Sequence, residues 1–175
     1  LPDLSEARSS YMLSKIYGEA LCSQSGLPFT IFRPHNIYGP RMGMRHVIPE
    51  LMRRAAHSET GSIKVYSPDH TRTFCFVDDA VEQIFSLMQK QNALGETFNV
   101  GNEMPEISMA ELAKIIVKIV DKDLAIESAG YTPGSPNRRS PMMAKCKRVT
   151  KLSNKIDLYS GLQKTFDWYS ERIFR

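Results

Sequence analysis

Tyr11 and Lys15 are the two side chains in this sequence whose types and spacing best suit proton transfer. They stand four residues apart, so on a helix both lie on one face, one turn apart. A phenol with a reference pKa of about 10 is a poor base at neutral pH, but a neighbouring ammonium stabilises the phenolate. Such a tyrosine could exchange a proton with a substrate hydroxyl. Because this spacing also arises by chance on many helices, the pair needs support from its surroundings.

The stretch around this pair is typical of a helix followed by a buried strand. Residues 5–25 contain no proline and few β-branched residues, with Ser5 as the expected N-cap and Gly26 as the C-terminal stop. The apolar run 29–32 predicts a buried strand. Residues 33–45, rich in proline, glycine and asparagine, are expected to form a loop. The pair would then stand on a helix that leads directly into a strand.

Helices and strands are predicted to alternate along the rest of the chain. One helix is expected over 47–57, and a second is expected to begin at Asp78 or Asp79 as its N-cap and to end near Gln91. A third helix is expected over 158–174, and the residues on one side of it are Leu162, Phe166, Tyr169 and Ile173. Strands are expected over 63–66, 73–77 and 97–100. Ser108 and Glu111 form a capping box before an apolar stripe of Leu112, Ile115, Ile116 and Ile119. A turn is expected at Ser67–Asp69 and a loop over 130–141. The alternation indicates the α/β class.

A glycine-rich dinucleotide motif is absent from the sequence: no G-x-G-x-x-G follows a strand and opens a helix. A complete Rossmann domain needs one to place a pyrophosphate at a helix N-terminus. The chain also begins Leu1-Pro2-Asp3 rather than with Met. We therefore expect a piece of a longer protein that binds a dinucleotide poorly by itself.

Several motifs follow the Tyr11 helix in a recognisable order. The strand leads into R-P-H-N-I-Y-G-P-R at 33–41, and V-I-P follows at 47–49. Three further motifs come next: Y-S-P-D-H-T-R-T-F at 66–74, F-V-D-D-A at 76–80 and F-N-V-G at 98–101. This order resembles the extended short-chain dehydrogenase/reductase family, specifically its nucleotide-sugar epimerases, dehydratases and decarboxylases. The resemblance covers nearly the whole chain.

The resemblance implies the C-terminal part of a Rossmann-type α/β fold. That part comprises the last parallel strands and helices together with the smaller substrate-binding subdomain. Residues 1–45 would end the NAD-binding domain and carry the Tyr11 helix. Residues 46–175 would mainly form the nucleotide-sugar-binding subdomain, with strand and helix segments returning to the NAD-binding sheet.

The resemblance also implies how a nicotinamide cofactor is held. Tyr11 would be the catalytic acid/base, while Lys15 would bind the nicotinamide ribose and lower the pKa of Tyr11. The backbone around Pro34 and His35 would lie against the nicotinamide. NAD is the expected cofactor, in preference to NADP.

The implied substrate is a nucleotide-diphosphate sugar, with UDP or TDP as its nucleotide. Asn36 would bind its diphosphate region, Val47 would lie under the base, and Tyr66 would begin the segment that contacts base and ribose. Arg72 and Arg139, and with less support Arg138, would bind the diphosphate, for which guanidinium groups are suited. A surface ion pair is the alternative for each arginine.

One turn departs from the family pattern. The family usually has glycines after the tyrosine, whereas Ser67-Pro68-Asp69-His70 stands here. The base and ribose contacts made by this turn are therefore open. The loop before Val47 is short, so Arg45 or His46 could replace a family contact.

Composition argues against several other classes. No stretch approaches the roughly 20 apolar residues of a membrane span. Cys22, Cys75 and Cys146 are widely spaced without C-x-x-C, which favours a reducing cytoplasm over disulfides or a zinc site. The four histidines show no metal-ligand spacing, so no metal is expected.

The net charge of +4 owes much to one basic segment, defined as residues 138–155. Its members are Arg138, Arg139, Lys145, Lys147, Arg148, Lys151 and Lys155. A solvated basic surface is the simplest interpretation, and one or two of these residues could bind an anionic ligand. No nucleic-acid motif accompanies the segment, so no nucleic-acid partner is expected.

The resulting expectation is an NAD-dependent nucleotide-sugar epimerase or dehydratase. It would oxidise a sugar hydroxyl with Tyr11 as acid/base, and epimerisation, elimination or decarboxylation would follow, with epimerisation the commonest outcome. The alternative is a non-catalytic nucleotide-sugar-binding module or an inactive truncated paralogue. We expect the 175-residue chain to be inactive alone. A homodimer is expected through the Tyr11 helix, whose outer face offers Ile16, Ala20 and Ser23.

Overall fold

Helices and strands alternate in the computed structural model, which describes residues 9–174. The helices over this range are α1 (Ser9–Gln24), α2 (Val47–Ala56), α3 (Val77–Met88), α4 (Met109–Val120), α5 (Ala144–Thr150) and α6 (Leu158–Arg172). The strands are β1 (Ile31–Pro34), β2 (Ile37–Tyr38), β3 (Ser62–Tyr66), β4 (Thr71–Arg72), β5 (Cys75–Phe76), β6 (Thr97–Val100), β7 (Ile107–Ser108), β8 (Ala125–Ala129) and β9 (Arg138–Arg139). A short 3₁₀ turn covers Gln91–Ala93.

The strands pair mainly in parallel. β1 pairs with β6, β2 with β5, and β3 with β8, all in parallel register. β4 lies between an antiparallel β7 and a parallel β9. Parallel pairing requires long crossovers, which the intervening helices supply. The expected α/β class is confirmed.

A large apolar core joins α2, α4 and α6. The stripe of α4 supplies Leu112, Ile116 and Ile119, which are buried, and Ile115, which is half-buried and packs against them. Met52 of α2 is fully buried in the same core. Each such side chain stabilises the fold by roughly 1.5–3 kcal/mol, so this core holds the three helices together.

A second core lies beneath the β1–β6 pair. It contains Phe98 and Val100 of β6, Cys75 of β5 and Met143 just before α5, all nearly inaccessible to solvent. Helices α3 and α5 both contact β6 and so cover this core. This core lies beside the carboxyl end of β1, where the loop at 33–41 begins.

Several local predictions are confirmed. The capping box forms, because the Glu111 amide donates to Ser108 Oγ (3.1 Å) and the Ser108 amide donates to Glu111 Oε2 (2.7 Å). The turn after β3 closes where the His70 amide donates to the carbonyl of Ser67 (3.0 Å). Helix α1 ends two residues before Gly26, whose φ of +70° is the left-handed conformation that glycine adopts readily.

Two predictions around α3 were wrong. The strand expected over 73–77 is limited to Cys75–Phe76, and α3 already begins at Val77. Neither Asp78 nor Asp79 is the N-cap: Phe76 holds that position without a side-chain hydrogen bond. Asp79 is instead buried and accepts hydrogen bonds from the amides of Lys155 and Ile156, at 2.9 and 3.1 Å.

Other differences lie in short elements and at the chain ends. β2 falls inside the loop predicted over 33–45, and β9 falls inside the loop predicted over 130–141. Ile173, predicted to lie on one side of the last helix, is the C-cap residue that follows α6 and is half exposed. The beginning of the helix predicted over 5–25, including Ser5, lies outside the described residues.

Candidate functional site

A cleft of about 290 Å³ lies between α2, the β3–β4 turn and the segment that precedes β9. Four of the residues predicted to bind substrate line it: Asn36, Val47, Tyr66 and Arg72. These residues come from four separate places in the sequence, so the fold is what brings them together. We call this space the substrate cleft.

Val47 and Tyr66 reach the substrate cleft because their neighbours fill the core. Val47 opens α2 and is partly exposed, while the next residue, Ile48, is fully buried. Along β3 the burial alternates, with Val65 inside and Tyr66 outside, as the two-residue period of a strand requires. The Arg54 guanidinium lies 5.5 Å from the Tyr66 ring centroid, a cation–π contact that holds the ring in place.

Asn36 is fixed by the backbone around it. Its φ of +44° is left-handed, a conformation that asparagine tolerates better than most residues. Its Nδ2 donates to the carbonyl of Thr73 (2.8 Å), and the Cys75 amide donates to the carbonyl of Asn36 (3.2 Å). The loop at 33–41 is thereby tied to the segment that follows β4.

Arg72 braces the wall of the substrate cleft. Its guanidinium donates to Ser135 Oγ (2.9 Å) and to the carbonyls of Pro136 (2.6 Å) and Asn137 (3.3 Å). Burial lowers the pKa of Arg72, and the charge of nearby Arg139 lowers it further. The hydrogen bonds hold the Arg72 guanidinium against the segment that precedes β9.

Arg138 and Arg139 are neighbours with different surroundings. Arg139 pairs with Arg72 in the register of β4 and β9, is exposed, and does not line the substrate cleft. Arg138 instead forms an ion pair with Glu106 (2.7 Å), whose carboxylate also accepts from Thr71 Oγ1 (2.6 Å). The charge of Arg138 is therefore compensated by Glu106, whereas the charge of Arg139 lowers the pKa of Arg72.

His35 stands beside the end of β1 and is half-buried. Its Nε2 lies 3.3 Å from Asn99 Oδ1, and its Nδ1 is buried without a hydrogen-bond partner among residues 9–174. Burial lowers the pKa of His35, the contact with Asn99 opposes this, and the charges of Arg139 and Arg33 add to the lowering. The neutral imidazole is therefore favoured beside the arginines.

Gly101 permits the close approach of this loop. A Cβ atom on Gly101 would lie 3.2 Å from Cβ of His35 and 3.3 Å from its carbonyl oxygen. Pro34, the last residue of β1, is exposed next to His35. Both predicted nicotinamide contacts thus stand at the carboxyl end of a parallel strand, where ligands bind in open α/β sheets.

Tyr11 and Lys15 lie on α1 and outside the lining of the substrate cleft. Their predicted adjacency is found, since Lys15 Nζ lies 5.2 Å from the centroid of the Tyr11 ring, which is 62% exposed. Helix α1 is attached to β1 by an ion pair in which Arg33 Nε donates to Glu19 Oε1 (2.7 Å). The pair is accessible to a ligand, and its catalytic role stays a prediction.

Sequence reasoning left several residues of the substrate cleft unassigned. Arg45 lines it, while His46 becomes the N-cap residue of α2. Other lining residues not predicted are Glu50, Arg54, Ser67, His70, Thr132 and Ser135. The Glu50–Arg54 ion pair follows the i, i+4 spacing of a helix, which was a usable signal in the sequence. His70 lies in the very turn that departs from the family pattern.

A larger open groove of about 800 Å³ runs along β3 and the end of α6. Of the predicted site residues only Tyr66 lines it, and Arg54 also borders both spaces. Its other walls carry charges of both signs, from Arg53, Lys64 and Glu59. Most of the predicted substrate-binding residues therefore line the smaller substrate cleft and not this groove.

The basic segment is largely compensated. Arg138, Lys145, Lys147 and Lys155 form ion pairs with Glu106, Glu96, Glu103 and Glu82, respectively. Across residues 9–174, no group of three or more His, Cys, Asp and Glu side chains is placed to hold a metal ion. None of the helices in that range has the length and apolar character needed to cross a bilayer.

Comparison with known proteins finds relatives over most of this chain. UDP-glucuronic acid decarboxylase 6 of Arabidopsis thaliana is 33% identical over 162 residues, which cover 89% of this chain and 46% of that protein. UDP-N-acetyl-alpha-D-glucosaminuronate decarboxylase of Bacillus cytotoxicus is 32% identical over 180 residues, covering 95% and 55%. The chain thus spans about half the length of these relatives.

A solved structure shows the same fold. UDP-glucuronic acid 4-epimerase of Bacillus cereus, in complex with UDP-glucuronic acid and NAD, superposes with a TM-score of 0.83 at 22% identity. The match covers 92% of this chain and 52% of that protein. The family model of NAD dependent epimerases and dehydratases matches residues 2–101, more than half of the sequence. The chain therefore belongs to the NAD dependent epimerase/dehydratase family.

Proposed function

We propose that this chain supplies the substrate-binding side and the acid/base tyrosine of an NAD-dependent enzyme acting on a UDP- or TDP-linked sugar. The observation that carries the proposal is the substrate cleft, which gathers Asn36, Val47, Tyr66 and Arg72. Arg72 and Arg139 stand close enough for the charge of one to lower the pKa of the other. A diphosphate between them would replace this repulsion with two charge-assisted contacts.

The described residues fit one end of a nicotinamide cofactor. His35 keeps a buried Nδ1 without a partner among residues 9–174, next to the exposed Pro34, and Lys15 is exposed on α1. These residues would hold the nicotinamide and its ribose, and a pyrophosphate cradle is not part of this sequence. NAD, when bound, accepts the hydride from the sugar carbon. Tyr11 would take the hydroxyl proton at the same time, with Lys15 favouring its phenolate.

We propose decarboxylation of a UDP-linked sugar acid as the reaction that follows. Both relatives above are decarboxylases whose names specify a UDP-linked uronic acid. Oxidation of the hydroxyl two carbons from the carboxylate carbon would create a ketone, whose oxygen accepts the electron pair when the C–C bond to CO₂ breaks. A proton would then add to the carbon that lost CO₂, and return of the hydride to the ketone carbon would give the UDP-linked pentose with no net oxidation. Epimerisation is the second candidate, favoured by the likeness to UDP-glucuronic acid 4-epimerase.

The direct test is turnover by the full-length protein. With NAD and UDP-glucuronic acid, we expect a UDP-linked pentose and an equal amount of CO₂. An epimerised sugar acid without CO₂ would select the second candidate. Binding of the sugar nucleotide without any product would instead support a non-catalytic binding module.

We further propose a homodimer formed through α1 and a reducing, cytoplasmic location. On α1, Ile16 is 62% exposed, and Ala20 and Ser23 on the same outer face are exposed too. The cysteines are free thiols, with Cys22 exposed and both Cys75 and Cys146 buried. Free thiols are typical of proteins kept in a reducing compartment.

A further inference from the structure

Asn99 is the polar residue in the middle of the F-N-V-G segment, and strand β6 carries it to the end of the parallel pair. Its neighbours Phe98 and Val100 are buried in the second core, so the two-residue period of a strand turns Asn99 to the other face. In the register of the pair it stands opposite Arg33, two residues before His35. The Asn99 side chain therefore lies beside the carboxyl end of β1.

The orientation of the Asn99 amide group follows from its two contacts. Its Nδ2 donates to the carbonyl of Met142 (3.1 Å), which belongs to the segment between β9 and α5. Its Oδ1 lies 3.3 Å from Nε2 of His35. A carbonyl can only accept a hydrogen bond, so the NH₂ group must face Met142 and the amide oxygen must face His35. The reverse orientation would place two acceptor oxygens against each other at Met142.

This orientation selects one tautomer of the His35 ring. Because Oδ1 of Asn99 can only accept, Nε2 must carry the hydrogen, and Nδ1 of a neutral imidazole then carries none. The other tautomer would set two lone pairs against each other at Asn99. It would also put an N–H donor at Nδ1, which is buried without a partner among residues 9–174. A buried donor without a partner is costly, so the contact with Asn99 determines where the hydrogen lies.

The surroundings of His35 keep the ring in place and neutral. Its backbone is fixed because its amide donates to the carbonyl of Val100 (2.9 Å), the residue after Asn99. The charges that act on the ring are those of Arg139 and Arg33, and both oppose its protonation. A neutral ring of one tautomer thus stands at the strand end where the nicotinamide is proposed to lie.

Resting on the function proposed above, we propose that Asn99 is a positioning residue for the nicotinamide end of the cofactor, because it fixes the His35 imidazole in its Nε2-protonated form. The oxidised nicotinamide ring carries a positive charge, which an imidazolium would repel and a neutral imidazole does not. A ring that is already fixed loses little conformational freedom when the cofactor binds.

The tautomer is measured in the cofactor-free, full-length protein by NMR of the histidine ring nitrogens, with the His35 signals identified by their loss in His35→Asn. In the wild type, we expect the hydrogen on Nε2. In Asn99→Ala the two tautomers should mix, and the pKa of His35 should fall because the contact with Asn99 raises it. In Asn99→Asp an acceptor remains and gains a negative charge, so the tautomer should persist while the pKa rises. Asn92→Ala, at an exposed position of the 3₁₀ turn, is the control and should change neither property.

Calorimetry with NAD measures the consequence for the cofactor. Asn99→Ala should weaken NAD binding by about 2- to 12-fold, since ordering one side chain that is no longer fixed accounts for a difference of this size. Asn92→Ala should bind NAD as the wild type does. Unchanged NAD affinity in a folded Asn99→Ala protein would overturn the positioning role.

The NMR outcomes decide the inference separately from the proposed function. An unchanged tautomer in folded Asn99→Ala would overturn it. Should Asn99→Ala not fold, Asn99→Asp decides, and an unchanged pKa of His35 in that variant would overturn the inference. Failure of the wild-type protein to bind NAD would overturn the proposed function, whereas the tautomer comparison needs no cofactor and still tests whether Asn99 fixes His35.

Discussion

At the scale of single residues, Arg138 and Arg139 form a natural comparison. They are adjacent on β9, yet Arg138 forms an ion pair with Glu106 while the charge of Arg139 lowers the pKa of Arg72. We expect Arg139→Gln to weaken UDP binding by about 10- to 150-fold, because a charge-assisted contact contributes roughly 1.5–3 kcal/mol. Arg138→Gln, the matched control, should change the dissociation constant less than about threefold. Calorimetry on the full-length protein measures both, and equal effects would refute the distinction.

His35 is expected to make stability depend on pH. Burial lowers its pKa in the folded state, so below the unfolded-state pKa of about 6.5 the unfolded chain binds the proton more readily. Stability is therefore present above that value and is lost as the pH falls further. In His35→Asn, the loss of unfolding free energy between about pH 7.5 and about pH 5 should be smaller than in the wild type, as urea denaturation would show. An identical loss in both proteins would mean that His35 does not titrate as inferred.

Four of the predicted substrate-binding residues line one cleft, although their binding role stays a prediction. Asn36, Val47, Tyr66 and Arg72 were found from motif order, because their types and spacing are visible in one dimension. The hydrogen bonds from Arg72 to residues 135–137 could not be foreseen, since they join segments more than 60 positions apart. His70 was missed as a lining residue because the burial of its side chain depends on how the turn folds, which a turn sequence does not reveal.

At the scale of elements, Asp79 joins α3 to the segment that enters α6. It is buried and accepts from the amides of Lys155 and Ile156, while its neighbour Asp78 is exposed. Asp79→Asn should lower the free energy of unfolding by about 1–3 kcal/mol, because the amide NH₂ cannot accept from a backbone amide. Asp78→Asn, with no buried contact to lose, should change it by less than about 0.5 kcal/mol. Urea denaturation compares the two, and similar losses would contradict this role for Asp79.

Elements with strong periodicity were predicted from the sequence, whereas most two-residue strands and the five-residue β8 were not. The apolar stripe of α4 and the alternation of β3 repeat often enough to be recognised. β2, β4, β7 and β9 have two residues each, too few for any period to appear. Their strand character depends on partners far along the chain, which tertiary packing alone supplies.

At the scale of the whole molecule, α1 exposes apolar side chains along much of its length. Tyr11, Ile16, Tyr17 and Leu21 are each more than half exposed. We expect the full-length protein to sediment as a dimer, and Ile16→Glu to shift it toward the monomer, because a charge in an apolar interface is costly. Val81→Glu, at an exposed apolar position of α3, is the control and should leave the dimer intact. A monomeric wild-type protein would contradict the proposed assembly.

The sequence contains only some of the residues that the proposed reaction requires. The substrate cleft and the Tyr11–Lys15 pair lie within a sequence that spans about half the length of its relatives. The parallel β1–β6 pair brings the predicted nicotinamide contacts to one strand end, while the glycine motif of a dinucleotide cradle is absent from the sequence. Catalysis is therefore expected of the full-length protein and not of these 175 residues alone.

The central claim is that Tyr11 transfers the proton during oxidation of the sugar. It is tested most directly by turnover of UDP-glucuronic acid with NAD in the full-length Tyr11→Phe protein, with Tyr17→Phe on the same helix as the control. Loss of the phenol at Tyr11 should lower the turnover rate about 100- to 10,000-fold while UDP affinity stays unchanged. Tyr17→Phe should turn over at the wild-type rate. Wild-type turnover by Tyr11→Phe would contradict the claim.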